Sequence, residues 1–256
     1  MKSFRIATWN VNSLRVRLPQ VLQWLADTKP DVLALQELKM PDEDFPHAAF
    51  DDIGYTAAVN GQKTWNGVAL LTRETSQDSI KKLSEFTDAR LIAATIQNIR
   101  IINVYIPNGE SVASEKFKYK LNWLKHFKEF VAAEKAKFEK IIILGDFNIA
   151  PTAMDMHDPI QGEGDTLFNP FVREAFQSLI ELDFQDCFRL HHSEEKNYTW
   201  WDYRLNAFKR NLGWRIDHIL ASSKLASACE KCVIDKTPRG WERPSDHAPV
   251  IASFKT

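Results

Sequence analysis

The chain has 256 residues, 44% hydrophobic and 26% charged, an ordinary globular composition that excludes the disordered, collagenous and fibrous classes. A net charge of -1 and a pI of 6.7 exclude a globally basic nucleic-acid binder, so a phosphate partner must be held by a local patch or a metal. Apolar runs such as Ile141–Leu144 fall far short of the roughly 18 residues of a membrane span, and MKSFRIATWN carries no signal-peptide stretch. Three cysteines, Cys187, Cys229 and Cys232, are too few for a disulfide framework, so the expectation is a cytoplasmic protein without membrane association.

In chain order, Phe4–Trp9 reads as a strand, and the spacing of Leu18, Val21, Leu22 and Leu25 predicts a helix. Val32–Gln36, Gly67–Thr72, Leu91–Gln97 and Arg100–Ile106 are short and rich in Val, Ile and aromatic residues, and read as further strands. Phe117, Leu121, Leu124, Phe127 and Val131 predict a helix within Ser114–Lys140, whose charges of both signs suit a solvent face rather than a DNA arm. A strand follows at Ile141–Phe147, then a helix at Phe171–Ile180 from Val172, Ala175, Phe176 and Leu179, then strands at Arg215–Ala221 and His247–Phe254. Alternating strand and helix patterns without a Pro/Gly/Ser linker or repeat predict one α/β domain over 1–256.

Polar residues that are costly to bury gather where these strands begin or end: Asn10 and Asn12, Gln36–Glu37, Tyr105–Asn108, Asp146–Asn148, Asp217–His218 and Asp246–His247. Any one of them alone reads as a turn former or cap. Their recurrence at strand ends, where loops of an α/β fold converge, points to a shared pocket. Asp, Glu, Asn and His supply hard oxygen donors and a proton carrier, the set that suits Mg²⁺ with Mn²⁺ as a substitute and a phosphate substrate. No nucleophilic Ser or Cys lies in G-x-S-x-G and no G-x-x-x-x-G-K loop occurs, which favours metal-assisted hydrolysis over covalent catalysis or nucleoside triphosphate use.

Seven motifs in order carry a resemblance: T-W-N-V-N-S-L-R at Thr8–Arg15, L-Q-E-L-K at Leu35–Lys39, W-N-G-V-A at Trp65–Ala69, N-V-Y-I-P-N at Asn103–Asn108, L-G-D-F-N-I-A at Leu144–Ala150, G-W-R-I-D at Gly213–Asp217 and S-D-H-A-P at Ser245–Pro249. Nearly end to end, the chain resembles the exonuclease III and apurinic/apyrimidinic endonuclease group of the endonuclease/exonuclease/phosphatase superfamily. The resemblance implies a four-layered α/β sandwich, two mixed β-sheets face to face with helices outside. It also implies Mg²⁺-dependent hydrolysis of phosphodiesters in duplex DNA with abasic sites, nicks or 3′ ends, by a monomer. By position, Glu37 resembles the principal metal ligand, with Asn10 and Asp246 nearby. Asp146 resembles the residue that orients or deprotonates the attacking water, and Asn148 the one that holds that water and a phosphate oxygen. His247, paired with Asp217, resembles the imidazole at the phosphate, and Tyr105 a donor to the phosphate or the leaving oxygen. The source of the leaving-group proton stays open.

Asn12, Arg15, Lys39, Lys63, Arg90, Asn108, Arg204, Lys209, Arg210 and Arg215 lie in or beside the motifs and could line a DNA groove. Trp200, Trp214 and Ile216 resemble the apolar pocket that takes a flipped-out baseless sugar. The chain departs from the group at Asp158–Phe171, where Leu167 stands in place of a small residue and Glu163 and Asp165 replace phosphate-attracting groups. An inward Leu167 would weaken abasic-site incision and leave 3′-end removal of nucleotides or phosphate, whereas a Leu167 packed in the core would leave a full abasic-site endonuclease. Cys229-Glu-Lys-Cys232 is a single C-x-x-C without a second pair and is set aside as a metal or redox motif. Two other functions compete. A phosphatase of inositol phosphates or phospholipids shares S-D-H-A-P, and a non-catalytic module would be expected to lack one of Glu37, Asp146, Asn148, Asp217 or His247, all of which are present.

Overall fold

The computed structural model describes residues 3–255, so the ends of the expected 1–256 domain at Met1, Lys2 and Thr256 lie outside the described residues. Twelve strands form two six-stranded sheets. The first contains β1 (Ser3–Asn10), β2 (Val32–Gln36), β3 (Thr56–Asn60), β4 (Val68–Thr72), β11 (Cys229–Ile234) and β12 (Val250–Lys255), in the order β11-β12-β1-β2-β4-β3. The second contains β5 (Gln77–Ile80), β6 (Leu91–Ile96), β7 (Ile99–Tyr105), β8 (Ile141–Asp146), β9 (Phe184–Asp186) and β10 (Asp217–Ser222), in the order β5-β6-β7-β8-β10-β9. Each sheet has one parallel pair, β1 with β2 and β7 with β8, and is otherwise antiparallel.

Both faces of the central strands are covered, which is why they read as continuous apolar runs instead of alternating. On β8, Ile142 and Leu144 join the core between the sheets, while Ile141 and Ile143 join the outer core beneath the helices. The helices are α1 (Leu14–Thr28), α2 (His47–Asp51), α3 (Glu115–Lys135), α4 (Pro159–Gly162), α5 (Pro170–Ile180), α6 (Cys187–His191) and α7 (Ser223–Ala226). Trp24 and Leu25 of α1 pack on the first sheet with Trp9 and Leu33, and Phe127 of α3 and Phe176 of α5 pack on the second. The result is the expected four-layered sandwich. Between the sheets, Asn103 donates to Leu35 O and Ala69 O (2.9 and 2.8 Å) and accepts from Gln36 Nε2 (2.8 Å), a polar tie across an otherwise apolar seam.

The eight expected strands and three expected helices are present with ends shifted by a few residues; β3, β5, β9 and β11 are additional. Those four lie at sheet edges, and β5 has no fully buried position, so apolar periodicity is weak there. The expected helix over Ser114–Lys140 ends at Lys135, and it is not purely a solvent face: Lys120 and Glu134 are buried.

Candidate active site

Strand register brings the polar clusters together. Asn10 pairs with Gln36 at the ends of β1 and β2, Tyr105 pairs with Asp146 at the ends of β7 and β8, and Asp217 opens β10 opposite Asp146. His247 precedes β12, which runs antiparallel to β1, so it arrives at the same edge. Gly145 allows the close approach of β8 to β7: at its φ of 142° a Cβ would lie 2.0 Å from Val104 O.

The centre is a buried hydrogen-bond network. Asn10 turns Nδ2 to Glu37 Oε1 (2.8 Å) and Asp146 Oδ2 (2.9 Å), while its Oδ1 accepts from the Asn12 backbone N–H (3.0 Å). In this arrangement Asn10 bridges the carboxylates instead of presenting an oxygen ligand. Asp146 Oδ1 accepts from Asn148 N (2.9 Å), and Asn148 donates from Nδ2 to Ile106 O (3.0 Å) and accepts from Asn108 Nδ2 (3.2 Å). His247 Nδ1 lies 2.9 Å from Asp217 Oδ2, and its Nε2 faces Asp146 Oδ2 at 3.8 Å. Burial opposes charge on His247, yet Asp217 and Asp146 outweigh it and raise its pKa to about 10. Burial, opposed by His247, pushes the Asp146 carboxyl up to about 7. Tyr105 is pushed well above the usual phenol range by burial and by Glu37, to which it is hydrogen-bonded.

Glu37, Asp146 and His247 place ligand atoms within 4.8 Å of one another, and Asp217 Oδ1 is buried without a partner. Hard oxygen donors with a surplus of negative charge fit a Mg²⁺- or Mn²⁺-sized cation. Asp246 is not one of that group: its Oδ1 accepts from Asn12 Nδ2 and its Oδ2 from Trp200 Nε1 (both 3.0 Å), so it anchors neighbouring side chains.

The expected DNA-binding cations separate into two sets. Lys39 reaches Glu37 Oε2 (3.0 Å) and Asn12 Oδ1 (2.6 Å), and Arg90 lies over the Tyr105 ring (4.7 Å) while pairing with Asp88 (3.2 Å). A cleft of about 730 Å³ runs past Glu37, Arg90, Tyr105, Asn108 and the exposed Trp65. Arg15 is exposed on α1 and pairs with Asp44 (3.0 Å). Arg215 corrects the expectation outright. It is 1% exposed, and its guanidinium pairs with Asp155 and Asp186 (both 2.7 Å), so none of its donors is available to DNA.

On the other side of Asp246, a cleft of about 720 Å³ is lined by His157, Trp200, Arg204, Leu205 and Trp214. Beneath it Leu167, 7% exposed, packs with Ile216, Trp200, Trp214, Met156 and Phe168 in a small apolar cluster. Asp165 fixes the turn by accepting from Leu167 N (2.8 Å), and Leu167 O accepts from Ala150 N (2.8 Å).

Sequence reasoning missed Lys120. Wholly buried on α3, it donates to Asn108 O (3.1 Å), Asn148 O (2.7 Å) and Thr166 O (2.9 Å), tying the loops after β7 and β8 to the loop carrying Leu167. Burial lowers its pKa to about 7 against the pull of Asp146 and Asp165. A signal existed: Lys120 falls three residues after Phe117 and four before Leu124, on the apolar stripe of the helix.

The Endonuclease/Exonuclease/phosphatase family matches residues 7–247. Exodeoxyribonuclease III of Haemophilus influenzae is 35% identical over 98% of this chain and 100% of its own length. The 3′ phosphatase NExo from Neisseria, solved bound to a product DNA hairpin, superposes with a TM-score of 0.98 at 46% identity, covering 99% of this chain and 100% of that one. An AP endonuclease from Archaeoglobus fulgidus gives a TM-score of 0.96 at 40% identity, with 99% and 100% coverage. The chain belongs to the endonuclease/exonuclease/phosphatase family, in its exonuclease III and AP endonuclease group.

Proposed function

We propose that this DNA repair nuclease is a Mg²⁺-dependent hydrolase of duplex DNA that acts foremost at 3′ ends, removing nucleotides and terminal phosphate, with abasic-site incision reduced. The observation that carries this reading is the 46% identity, over 99% of the chain, to the Neisseria 3′ phosphatase and 3′-5′ exonuclease, together with Leu167 filling the apolar cluster of Trp200, Trp214 and Ile216 behind the cleft. A flipped abasic sugar that needs the volume behind Trp200 and Trp214 would have to displace that side chain, and forcing such a fit costs about 1–3 kcal/mol, or roughly 5- to 150-fold in binding. A terminal phosphate needs only the polar centre.

In this reading Glu37 would hold Mg²⁺, or Mn²⁺ in its place, beside Asp146. The cation would neutralise charge on the scissile phosphate. Asp146 orients the attacking water and takes its proton, and Asn148 holds water and phosphate in line. His247, kept cationic by Asp217, meets the charge that develops on the phosphate oxygens. Tyr105 donates to the phosphate. Lys39, Arg90, Asn12 and Asn108 line the DNA path past Glu37, and Arg15 extends it. Among the described residues no helix is long and apolar enough to cross a membrane. We read it further as a cytoplasmic monomer working as one domain, its three cysteines being too few for a disulfide framework.

A full abasic-site endonuclease is the second reading, favoured by the 40% identity to the Archaeoglobus fulgidus enzyme. Initial rates on a nicked duplex with a 3′-phosphate and on a duplex with one abasic analogue separate the two, for wild type and Leu167→Gly. The first reading expects fast phosphate release and slow incision, with incision rising about tenfold in the variant. Efficient wild-type incision, unchanged by Leu167→Gly, would establish the second.

A further inference from the structure

All the cysteines of the chain, 187, 229 and 232, lie in or against the core between the sheets. Cys229 and Cys232 are three apart on β11, a spacing that strand alternation would send to opposite faces. The register against β12 slips between Cys229 and Lys231, and this bulge turns both toward the core between the sheets. Cys187 opens α6, which lies against β11, and is buried in the same core. Cys187 and the exposed His191 of α6 both bear on the Cys229 sulfur, which also donates to Lys231 O (3.7 Å). Cys229 pairs with Phe254, at the end of β12 away from His247, so the cluster stands apart from the catalytic edge.

The environments differ sharply. Cys229 is half-buried, and the hydrogen bond from Cys187, helped by His191 against the cost of burial, lowers its thiol to about 6. Its neighbour Cys187, as the donor in that bond and fully buried, is raised well above the thiol range. Cys232 is also raised, chiefly by burial. The accessible sulfur is the more readily ionised of the two, and a buried thiol lies beside it, the arrangement of an attacking and a resolving cysteine. The cluster is not arranged to close on a cation: among the described residues the group so arranged is Glu37, Asp146 and His247.

We propose that Cys229 and Cys187 form an oxidant-responsive dithiol whose substrate class is the hydroperoxides. The Cys229 thiolate attacks one peroxide oxygen, the O–O bond breaks, and sulfenic acid and hydroxide form. The Cys187 thiol gives its proton to that hydroxide, and its sulfur attacks Cys229; the S–O bond breaks and the sulfenic oxygen leaves as a second water on taking a proton from solvent. Two thiols are oxidised and one peroxide is reduced to two waters. The disulfide joins α6, which follows an edge strand of one sheet, to an edge strand of the other.

Wild-type protein treated at neutral pH with equimolar to excess hydrogen peroxide, then alkylated and mapped as non-reduced peptides, tests this. The expected product is a Cys187–Cys229 linked peptide that dithiothreitol reverses, with Cys232 alkylated only after denaturation. Cys187→Ser, confirmed folded by its melting transition, should stop at a dimedone-reactive Cys229, and Cys229→Ser should leave both buried thiols reduced. Oxidation first at Cys232, absence of the linked peptide from wild type, or stoichiometric zinc in the purified protein would overturn the proposal.

Discussion

Two buried charge clusters meet at the start of β10 and differ in balance. Around Asp217, the carboxylates of Glu37, Asp146 and Asp246 outnumber the cations His247 and Lys39 that contact them. Around Arg215, two residues earlier, Asp155 and Asp186 are matched by Arg189 and Arg215. The histidines report the contrast. His247 among carboxylates is raised to about 10, whereas His218, buried beside Arg215 and bonded to Ile149 O (2.8 Å), is lowered to about 4. Residue type therefore does not mark function in this protein. A charge surplus opening on a cleft does, and a neutralised pair holds structure.

The largest effect should come from breaking the unbalanced cluster. Asp146→Asn keeps the shape and one of the two accepted bonds, from Asn10 or from Asn148 N, but removes the base, so single-turnover cleavage should fall about 10³-fold while DNA affinity changes little. A variant that binds DNA weakly yet cleaves at the normal rate would reverse the assigned role. Breaking the balanced cluster should cost stability instead. Arg215→Met leaves Asp155 and Asp186 buried with fewer partners and should cost about 3–5 kcal/mol in denaturant unfolding, with activity per folded molecule retained. Equal loss of activity and stability would merge the two clusters into one functional unit.

The pH dependence of folding sharpens the same contrast. An unfolded histidine takes its proton near 6.5, whereas His218 in the fold takes it only near 4, so the unfolded chain binds more protons between those values. The His218 contribution, read as the difference between wild type and His218→Asn because Asp146, Lys120 and His247 also titrate, should thus be level above pH 6.5 and fall on acidification toward pH 4, by at most about 3 kcal/mol. His218→Asn should flatten that slope, and an unchanged slope would assign the acid loss elsewhere. The smallest effect concerns the ammonium beneath the site. Lys120→Met leaves three loop carbonyls without their donor and should lower kcat about 10- to 100-fold with a smaller change in KM, partly restored by Lys120→Arg. A matched loss in KM and kcat at reduced stability would mark Lys120 as structural only.

Much of this contrast was legible before folding, and the limit is physical. Strand ends carrying Glu37, Asp146, Asp217 and His247 stand out because polar residues directly after buried runs are rare without a reason. Arg215 sits two residues from Asp217 inside the same motif, and nothing local distinguishes a cation aimed at DNA from one aimed at Asp155, sixty positions away. The same holds for Asp246, whose oxygens meet Asn12 and Trp200 only after the chain has closed on itself. Lys120 was readable from helix spacing, yet the carbonyls it serves come from three separate loops.

The central claim is that the charge surplus around Glu37 is a cation site and the matched cluster around Arg215 is not. Mn²⁺ binding to the DNA-free protein, followed by calorimetry for wild type, Glu37→Gln and Asp186→Asn, tests it directly. The account predicts saturable binding by wild type that weakens about tenfold or more in Glu37→Gln, with wild-type affinity kept by folded Asp186→Asn. Binding unaffected by Glu37→Gln, or lost equally in both variants, would contradict it.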